Sequence, residues 1–161
     1  MKKLYYDVSK CLACKSCEIA CATGKSASKD LFKAVGEEIK PRSCVIVKTT
    51  QGKNFPIACR HCKTHPCVDA CIAKALTYDE NKKRVIHDKD RCIGCWMCVM
   101  VCPYGAIRDN KKLKIPIRCD LCADVDEPRC IKACPVGAIM YLEEEEYDKI
   151  LADKKSSKKS L

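Results

Sequence analysis

The chain has 161 residues and a formal net charge of +10; 17 residues are cysteine, and Leu, Ile, Val and Phe together make up about one fifth of it. So much cysteine beside so few large apolar residues indicates a fold held by metal or disulfides rather than by an ordinary apolar core. No apolar stretch could span a bilayer and no signal-peptide pattern precedes Cys11, so we expect a cytoplasmic protein whose reduced thiols bind metal.

The first third of the chain predicts a short strand, a cysteine motif, a small helix and a second strand. The strand covers residues 4–8. Spacers of two, two and three residues then separate Cys11, Cys14, Cys17 and Cys21. Residues 26–40 predict a loop and a helix, capped by Ser28 and ended by Pro41. The apolar face of this helix comprises Leu31, Phe32, Val35 and Ile39. Residues 44–50 are rich in β-formers and predict the second strand.

Three more cysteine motifs follow, with middle spacers of four, two and seven residues. They comprise Cys59, Cys62, Cys67 and Cys71, then Cys92, Cys95, Cys98 and Cys102, then Cys119, Cys122, Cys130 and Cys134. After the last cysteine of each, the pattern predicts a helical turn, a stop at Lys74, Gly105 or Gly137, and a short strand.

The short strands predict hairpins, and the chain ends in a helix and a tail. One hairpin joins residues 75–78 to 84–87, and another joins 106–108 to 113–117, where Pro116 marks an edge. We expect residues 138–142 to pair with the first strand. The remaining prediction is a helix over 143–152, with an acidic first turn, and a disordered Lys/Ser-rich tail over 153–161.

The cysteine spacing is typical of iron–sulfur binding. In two-cluster ferredoxins, three cysteines two residues apart hold one cubane, and the fourth reaches a different cluster. Such motifs therefore work in pairs, and four of them imply four [4Fe–4S] clusters. Sixteen cysteines are used in this way, and only Cys44 is left over. Spacing alone does not decide which motif pairs with which.

A zinc-binding interaction module without redox activity is the remote alternative. Zinc sites combine two short-spaced cysteine pairs across a longer spacer. Here the third and fourth cysteines of every motif are three residues apart, and Pro103 and Pro135 follow the last cysteine of two motifs. The pattern therefore favours iron–sulfur clusters over zinc.

The four motifs together resemble the four-cluster electron-transfer subunits related to the iron–sulfur subunit of dimethyl sulfoxide reductase. The resemblance covers about residues 4–142 and rests on Cys59-Arg60-His61-Cys62, on His65-Pro66-Cys67 and on Cys119-Asp120-Leu121-Cys122. Within that family, residues 26–31 are most similar to the CooF proteins, which accompany carbon monoxide dehydrogenase. Cys21 and Cys71 depart from the family pattern because no proline follows them.

The resemblance implies a nested pairing, first motif with fourth and second with third. Cluster A is then held by Cys11, Cys14, Cys17 and Cys134. Cluster B is held by Cys119, Cys122, Cys130 and Cys21. Cluster C is held by Cys59, Cys62, Cys67 and Cys102. Cluster D is held by Cys92, Cys95, Cys98 and Cys71.

The expected fold is α+β: two nested units, each like a bacterial two-cluster ferredoxin, with short β-ribbons and small helices. They form one domain over residues 1–152, with an outer unit of 1–58 and 110–152 and an inner unit of 59–109. Strands this short cannot build a substantial core, so we expect the clusters to replace it and the apoprotein to be largely unfolded.

The implied function is electron transfer in an anaerobic oxidoreductase complex, without catalysis by this chain. The favoured partner is carbon monoxide dehydrogenase, together with a second electron donor or acceptor. A tungsten aldehyde oxidoreductase, a hydrogenase or a formate dehydrogenase is the alternative. Neither nucleic acid nor direct membrane insertion is expected.

The positive charge is mostly a counter-charge to the cofactors. An oxidised cubane with four thiolates carries about −2, so four clusters offset about 8 of the positive charges. Two lysine-rich patches remain, at residues 82–84 and 111–114. They are interpreted as solubilising turns, or as docking sites for an acidic partner.

A few side chains inside the motifs invite other interpretations. Trp96 lies between two ligands and is expected to be core filler rather than a cluster shield. His61 and His65 are expected to be polar loop residues or donors to sulfur, because the second quartet of ligands is already complete. Cys44 is expected to be a buried thiol that behaves as a small apolar residue.

Overall fold

A computed structural model describes the backbone of residues 2–158 and the side chains of residues 2–152. Its elements, in chain order, are β1 (Lys3–Tyr6), α1 (Ser16–Lys25), α2 (Leu31–Gly36), β2 (Ile46–Thr50), β3 (Lys53–Ile57), α3 (Pro66–Asp69), β4 (Leu76–Asp79), β5 (Arg84–His87), α4 (Met97–Met100), α5 (Arg129–Lys132), β6 (Ile139–Leu142) and α6 (Glu144–Lys158). Small helices and short antiparallel strands confirm the α+β prediction. None of the helices in the described range is long and apolar enough to cross a membrane.

The strands form three separate two-stranded sheets, β1–β6, β2–β3 and β4–β5. In the first, Lys3 faces Leu142 and Tyr6 faces Ile139, so strands near the two chain ends lie side by side as predicted. The hairpin β4–β5, in which Leu76 faces His87, was also predicted. Each ribbon lies beside a cysteine motif rather than within a larger sheet.

The β2–β3 hairpin was only half predicted. Thr50 faces Lys53, and the two residues between them both have positive φ, Gln51 at 47° and Gly52 at 70°. Two positive φ angles match the tight turn whose twist suits a hairpin. Pro56 in β3 donates no ladder hydrogen bond, which a two-stranded ribbon tolerates because every strand is an edge. This second strand was missed because Lys, Asn and Pro read as a loop.

The small helix after the first motif differs from its prediction. It begins at Leu31, and its N-cap is Asp30, whose side chain accepts a hydrogen bond from the backbone N–H of Lys33 at 2.9 Å. Ser28 was wrong as the cap: its backbone N–H and hydroxyl both donate to Glu37. The intervening Lys29 has φ of 56°, which no helix can include. The apolar face is open to solvent, with Phe32 86% exposed and Val35 69% exposed.

Two predictions in the second half of the chain are also corrected. The hairpin of residues 106–117 is reduced to one bridge between Arg108 and Ile117. Pro116 has no N–H, and Lys114 has φ of 52°, so no strand forms there. The last helix, α6, continues to Lys158 where a disordered tail was predicted from residue 153. Lys is a good helix former and no Gly or Pro interrupts this run. Residues 159–161 of the predicted tail lie outside the described residues.

Buried side chains form two cores, and cysteines belong to both. The larger core joins Leu4, Val45, Ile117 and Ile139 to cysteines of the first, second and fourth motifs. The smaller core joins Leu76, Val85 and Ile107 to Cys67 and Cys98. Aliphatic side chains are therefore packed around the thiols, as the low aliphatic content predicts.

Candidate metal centre

All four cysteine loops share one backbone feature. The residue before the second cysteine has positive φ in every motif: 54° at Ala13, 46° at His61, 68° at Gly94 and 59° at Leu121. Three of these four residues carry a side chain, which makes the left-handed conformation unfavourable by about 1–2 kcal/mol. Turns of this kind present backbone N–H groups to an anion. The loops are therefore built for a negatively charged group.

A helical turn places the third cysteine of each motif. It begins just before Cys17 in α1, Cys67 in α3, Cys98 in α4 and Cys130 in α5. The residue that caps the helix is left-handed in the first three motifs, with φ of 60° at Lys15, 30° at His65 and 62° at Trp96. The fourth motif has Pro128 at this position, with φ of −56°. Its longer loop reaches the same helical start by a different path.

The turn after the fourth cysteine aims backbone N–H groups at sulfur. Gly105 and Gly137 have φ of 56° and 59°, as expected for the predicted stops, and Lys74 has 48°. The next residues donate to the preceding thiol: Ala106 N–H to Cys102 Sγ at 3.4 Å, and Ala138 N–H to Cys134 Sγ at 3.2 Å. Hydrogen bonds to ligand sulfur are one means by which a protein tunes an iron–sulfur cluster.

Three cavities are each lined by four cysteines from two different motifs. The first is lined by Cys11, Cys14, Cys17 and Cys134. The second is lined by Cys59, Cys62, Cys67 and Cys102. The third is lined by Cys71, Cys92, Cys95 and Cys98, with Trp96 on its wall. These are the sets that the resemblance assigns to clusters A, C and D.

The remaining quartet is the most buried. Cys21, Cys119, Cys122 and Cys130 are between 6% and 8% exposed. Burial, reinforced by the neighbouring thiols of Cys21 and Cys122, raises the pKa of Cys130 to about 12. Without iron the Cys130 thiol resists ionisation, because its anion would be buried and would be repelled by the neighbouring thiols. Iron removes that penalty, so binding displaces the protons.

Thiols of neighbouring quartets also lie close together. Cys17 adds to the raised pKa of Cys130, after burial and the nearer thiols. Burial raises the pKa of Cys119, and Cys59 and Cys21 raise it further. Electrostatic influence thus runs from the first quartet to the buried one and on to that of Cys59. Cys14 of the first motif and Cys95 of the third motif are exposed.

Cys44 is buried, as predicted, but it does more than fill space. It precedes β2 and is 6% exposed. Its backbone N–H donates to Cys21 Sγ at 3.2 Å. Hydrogen bonding from the Cys44 side chain is the largest influence that lowers the pKa of Cys21, to about 5. The spare cysteine therefore supports a predicted ligand, a role that sequence spacing does not reveal.

The two histidines of the second motif have different surroundings. His61 is 2% exposed, and its Nδ1 accepts the backbone N–H of Val85 at 3.1 Å, so it is no donor to sulfur there. Burial, with Arg118 and Arg84 nearby, lowers the pKa of His61 to about 3, and the ring is neutral. His65 caps α3 and lies against Tyr78, with ring centroids 4.7 Å apart.

Sequence reasoning missed Arg118. It is 7% exposed, and its guanidinium donates to the Val85 carbonyl at 3.0 Å and to Cys59 Sγ at 3.6 Å. The only signal was a charge at the end of an apolar run, immediately before Cys119.

The donor set suits iron–sulfur clusters. Four all-cysteine groups, left-handed loops and N–H···S hydrogen bonds are the features such clusters require. Among the described side chains of residues 2–152, no group of three or more His, Cys, Asp or Glu side chains is arranged to hold a single metal ion. A cubane does not need that arrangement, because each thiolate bonds a different iron.

The sequence, including its cysteine motifs, matches those of known iron–sulfur proteins. A 4Fe-4S dicluster domain matches residues 50–145, and a 4Fe-4S binding domain matches residues 8–24. An iron-sulfur protein of Rhodospirillum rubrum is 31% identical over 160 residues, covering 89% of this chain and 83% of that protein. The electron transport protein HydN of Escherichia coli K12 is 32% identical over 167 residues and 92% of either chain. The thiosulfate reductase electron transfer subunit PhsB of Salmonella typhi is 30% identical, covering 94% of this chain and 81% of that subunit.

The chain belongs to this family of 4Fe-4S dicluster electron-transfer proteins. It is an iron–sulfur electron-transfer protein, as predicted. Relatives such as PhsB are electron-transfer subunits rather than catalytic enzymes. The matched domains and the 17 cysteines fit four [4Fe–4S] clusters, which confirms the cofactor prediction.

Proposed function

We propose that the chain passes single electrons between carbon monoxide dehydrogenase and a second redox partner in the cytoplasm of an anaerobic cell. The observation that carries the choice of partner is the similarity of residues 26–31 to the CooF proteins. Those residues lead into α2, whose Phe32 is 86% exposed. This segment is therefore available to a partner.

The ligand sets of clusters A to D, as listed above, are part of this proposal. The three cavities, each lined by the cysteines of one set, support them. The electrostatic influence of Cys17 on Cys130 and of Cys59 on Cys119 supports placing B between A and C. Cys67 and Cys98 share the smaller core, which supports D next to C and thus the order A, B, C, D. When bound, each cluster accepts and returns one electron. The protein fixes the spacing, excludes water from the buried quartet and leaves a cysteine exposed at each end.

The two lysine patches adjoin one groove, which we propose as the docking site for an acidic partner surface. Lys82 and Arg84 of the first patch line it, as do Asn110 and Leu113 beside the second. Other cations line the same groove, namely Lys25, Lys40, Arg42, Lys89 and Arg118. Three acidic side chains among its lining residues, Glu37, Glu38 and Asp120, leave a positive excess. Opposite charge steers association and weakens with salt.

The test of the partner is anaerobic reconstitution. Purified holoprotein is mixed with carbon monoxide dehydrogenase and carbon monoxide, and reduction is followed by bleaching of visible absorbance. Parallel mixtures contain hydrogenase with hydrogen, formate dehydrogenase with formate, or tungsten aldehyde oxidoreductase with an aldehyde. We expect the fastest bleaching with carbon monoxide. Faster bleaching in a parallel mixture would transfer the assignment to that enzyme.

A further inference from the structure

A buried guanidinium without a carboxylate partner lies between the two predicted units. Arg118 is 7% exposed. No ion pair among the described side chains of residues 2–152 includes it, and Asp120, two residues further on, pairs instead with Lys25 at 2.5 Å. Its Nε has no hydrogen-bond partner among the described residues. A buried cation of this kind is costly unless a negative charge lies nearby.

The groups that accept hydrogen bonds from the guanidinium are a carbonyl oxygen and a sulfur. Nη1 donates to the carbonyl of Val85 at 3.0 Å, and Nη2 donates to Cys59 Sγ at 3.6 Å. The two nearby histidines, His61 and His87, are no counter-ions, because an imidazole is neutral or positively charged and is never an anion. The remaining source of negative charge is the group of cysteine ligands that includes Cys59.

The position of Arg118 in the chain places it between the outer and inner units. It directly precedes Cys119, which is assigned to cluster B, and it contacts Cys59, which is assigned to cluster C. Those two thiols lie close enough for Cys59 to raise the pKa of Cys119, after the larger effect of burial. The guanidinium is thus at the place where the two units approach each other.

We propose that Arg118 is the counter-ion of cluster C and raises its reduction potential, which eases electron passage between the inner and outer units. Reduction adds one negative charge to the cluster, so a nearby buried cation stabilises the reduced state more than the oxidised state. This inference rests on the proposed ligand set of cluster C. It does not depend on which enzyme is the partner.

Arg60 provides a matched comparison. It follows Cys59 directly, but it is exposed and its guanidinium lies over the Tyr104 ring, 4.3 Å from the centroid. Water screens the charge of Arg60, so its removal should change the reduction potential of cluster C much less than removal of the Arg118 charge. Both arginines are next to the same ligand, and they differ in burial.

The experiment is a mediated redox titration of the holoprotein followed by electron paramagnetic resonance, with iron counted in every sample. In Arg118→Gln we expect the reduced-to-oxidised ratio of one cluster at a fixed potential to fall about tenfold, which for one electron is a shift of 59 mV. Arg118→Lys, which keeps the charge, should restore most of the ratio. Arg60→Gln should change it less than threefold.

Several outcomes would overturn the proposal. One is an unchanged titration in an Arg118→Gln sample with full iron. The others are a shift of the cluster's reduction potential in Arg118→Lys, or in Arg60→Gln, as large as the shift in Arg118→Gln. If Arg118→Gln loses iron, Arg118→Met removes the charge without burying another polar group. If both lose iron, Arg118→Lys decides: full iron supports the counter-ion role, and iron loss refutes it. A wild-type iron count far below about sixteen would instead refute the proposed clusters.

Discussion

Substitution of Gly94 should loosen the cavity of Cys92, Cys95 and Cys98, and the structure gives a reason for the size of the effect. Gly94 has φ of +68°, and a Cβ added there would lie 2.6 Å from the backbone oxygen of Lys114. An ordinary carbon–oxygen contact is about 3.3 Å, so the backbone would have to move by several tenths of an ångström. Pro116, two residues after Lys114, lines the same cavity as Gly94, so movement of this backbone would change the shape of that cavity.

Gly137 is the control, since it isolates the cost of the backbone conformation. Its φ is +59°, but an added Cβ would meet nothing within 4 Å. Gly137→Ala should therefore lose about 1–2 kcal/mol from the left-handed conformation alone. Gly94→Ala should lose that amount and about 1–3 kcal/mol more from the clash.

The assay is anaerobic thermal unfolding of the holoprotein, followed by visible absorbance of the clusters and by far-UV circular dichroism. In a chain of this size, 1 kcal/mol shifts the midpoint by about 2–4 °C. We expect a decrease of about 2–8 °C for Gly137→Ala and of about 4–20 °C for Gly94→Ala, always larger for Gly94. Equal decreases for the two variants would show that the contact with Lys114 is not a constraint.

Three further predictions concern the clusters and the groove. Cys95→Ala should lower the iron content from about sixteen to about twelve atoms per chain, while Cys44→Ala should keep about sixteen, because Cys44 supports a ligand without being one. Equal losses of iron in the two variants would contradict the ligand sets. Removal of iron by a chelator should abolish most far-UV circular dichroism, since buried thiols that have lost their metal cannot hold the two cores together, and a well-folded apoprotein would refute this. Lys82→Glu should slow reduction of the clusters by the partner severalfold at low salt and weaken the salt dependence of that rate, whereas Lys63→Glu, outside the groove, should change neither. The same dependence of rate on salt in both variants would exclude docking at the groove.

Much of the fold followed from local sequence patterns. The β4–β5 hairpin and the stops at Gly105 and Gly137 were predicted, because each depends on a short pattern of apolar and turn residues. The β1–β6 pairing was also predicted, although it joins strands far apart in the chain. The exposed face of α2 was not, because an apolar stripe records amphipathicity without identifying what it contacts. The β3 strand was missed because its pairing depends on the turn at Gln51 and Gly52 rather than on its own composition.

The site was predicted unevenly for a similar reason. Cysteine spacing predicted the ligands, but two of the groups that act on their sulfurs come from distant parts of the chain. Arg118 contacts a thiol 59 positions away, and Cys44 contacts one 23 positions away. An arginine or a lone cysteine in a single sequence carries no sign of such a contact. The contacts of Arg118 and Cys44 with sulfur are visible only in the folded structure.

The pairing of β1 with β6 has a consequence for the order in which the protein matures. The proposed inner sets draw every ligand from residues 59–102, whereas each outer set combines residues before 22 with residues after 118. A chain emerging from the ribosome can therefore complete the inner pair first, while the thiols near its N-terminus wait for Cys134 and for the strand that follows it. Closing so long a loop is slow. A nascent chain stalled before residue 119 would thus be expected to hold about half of the final iron.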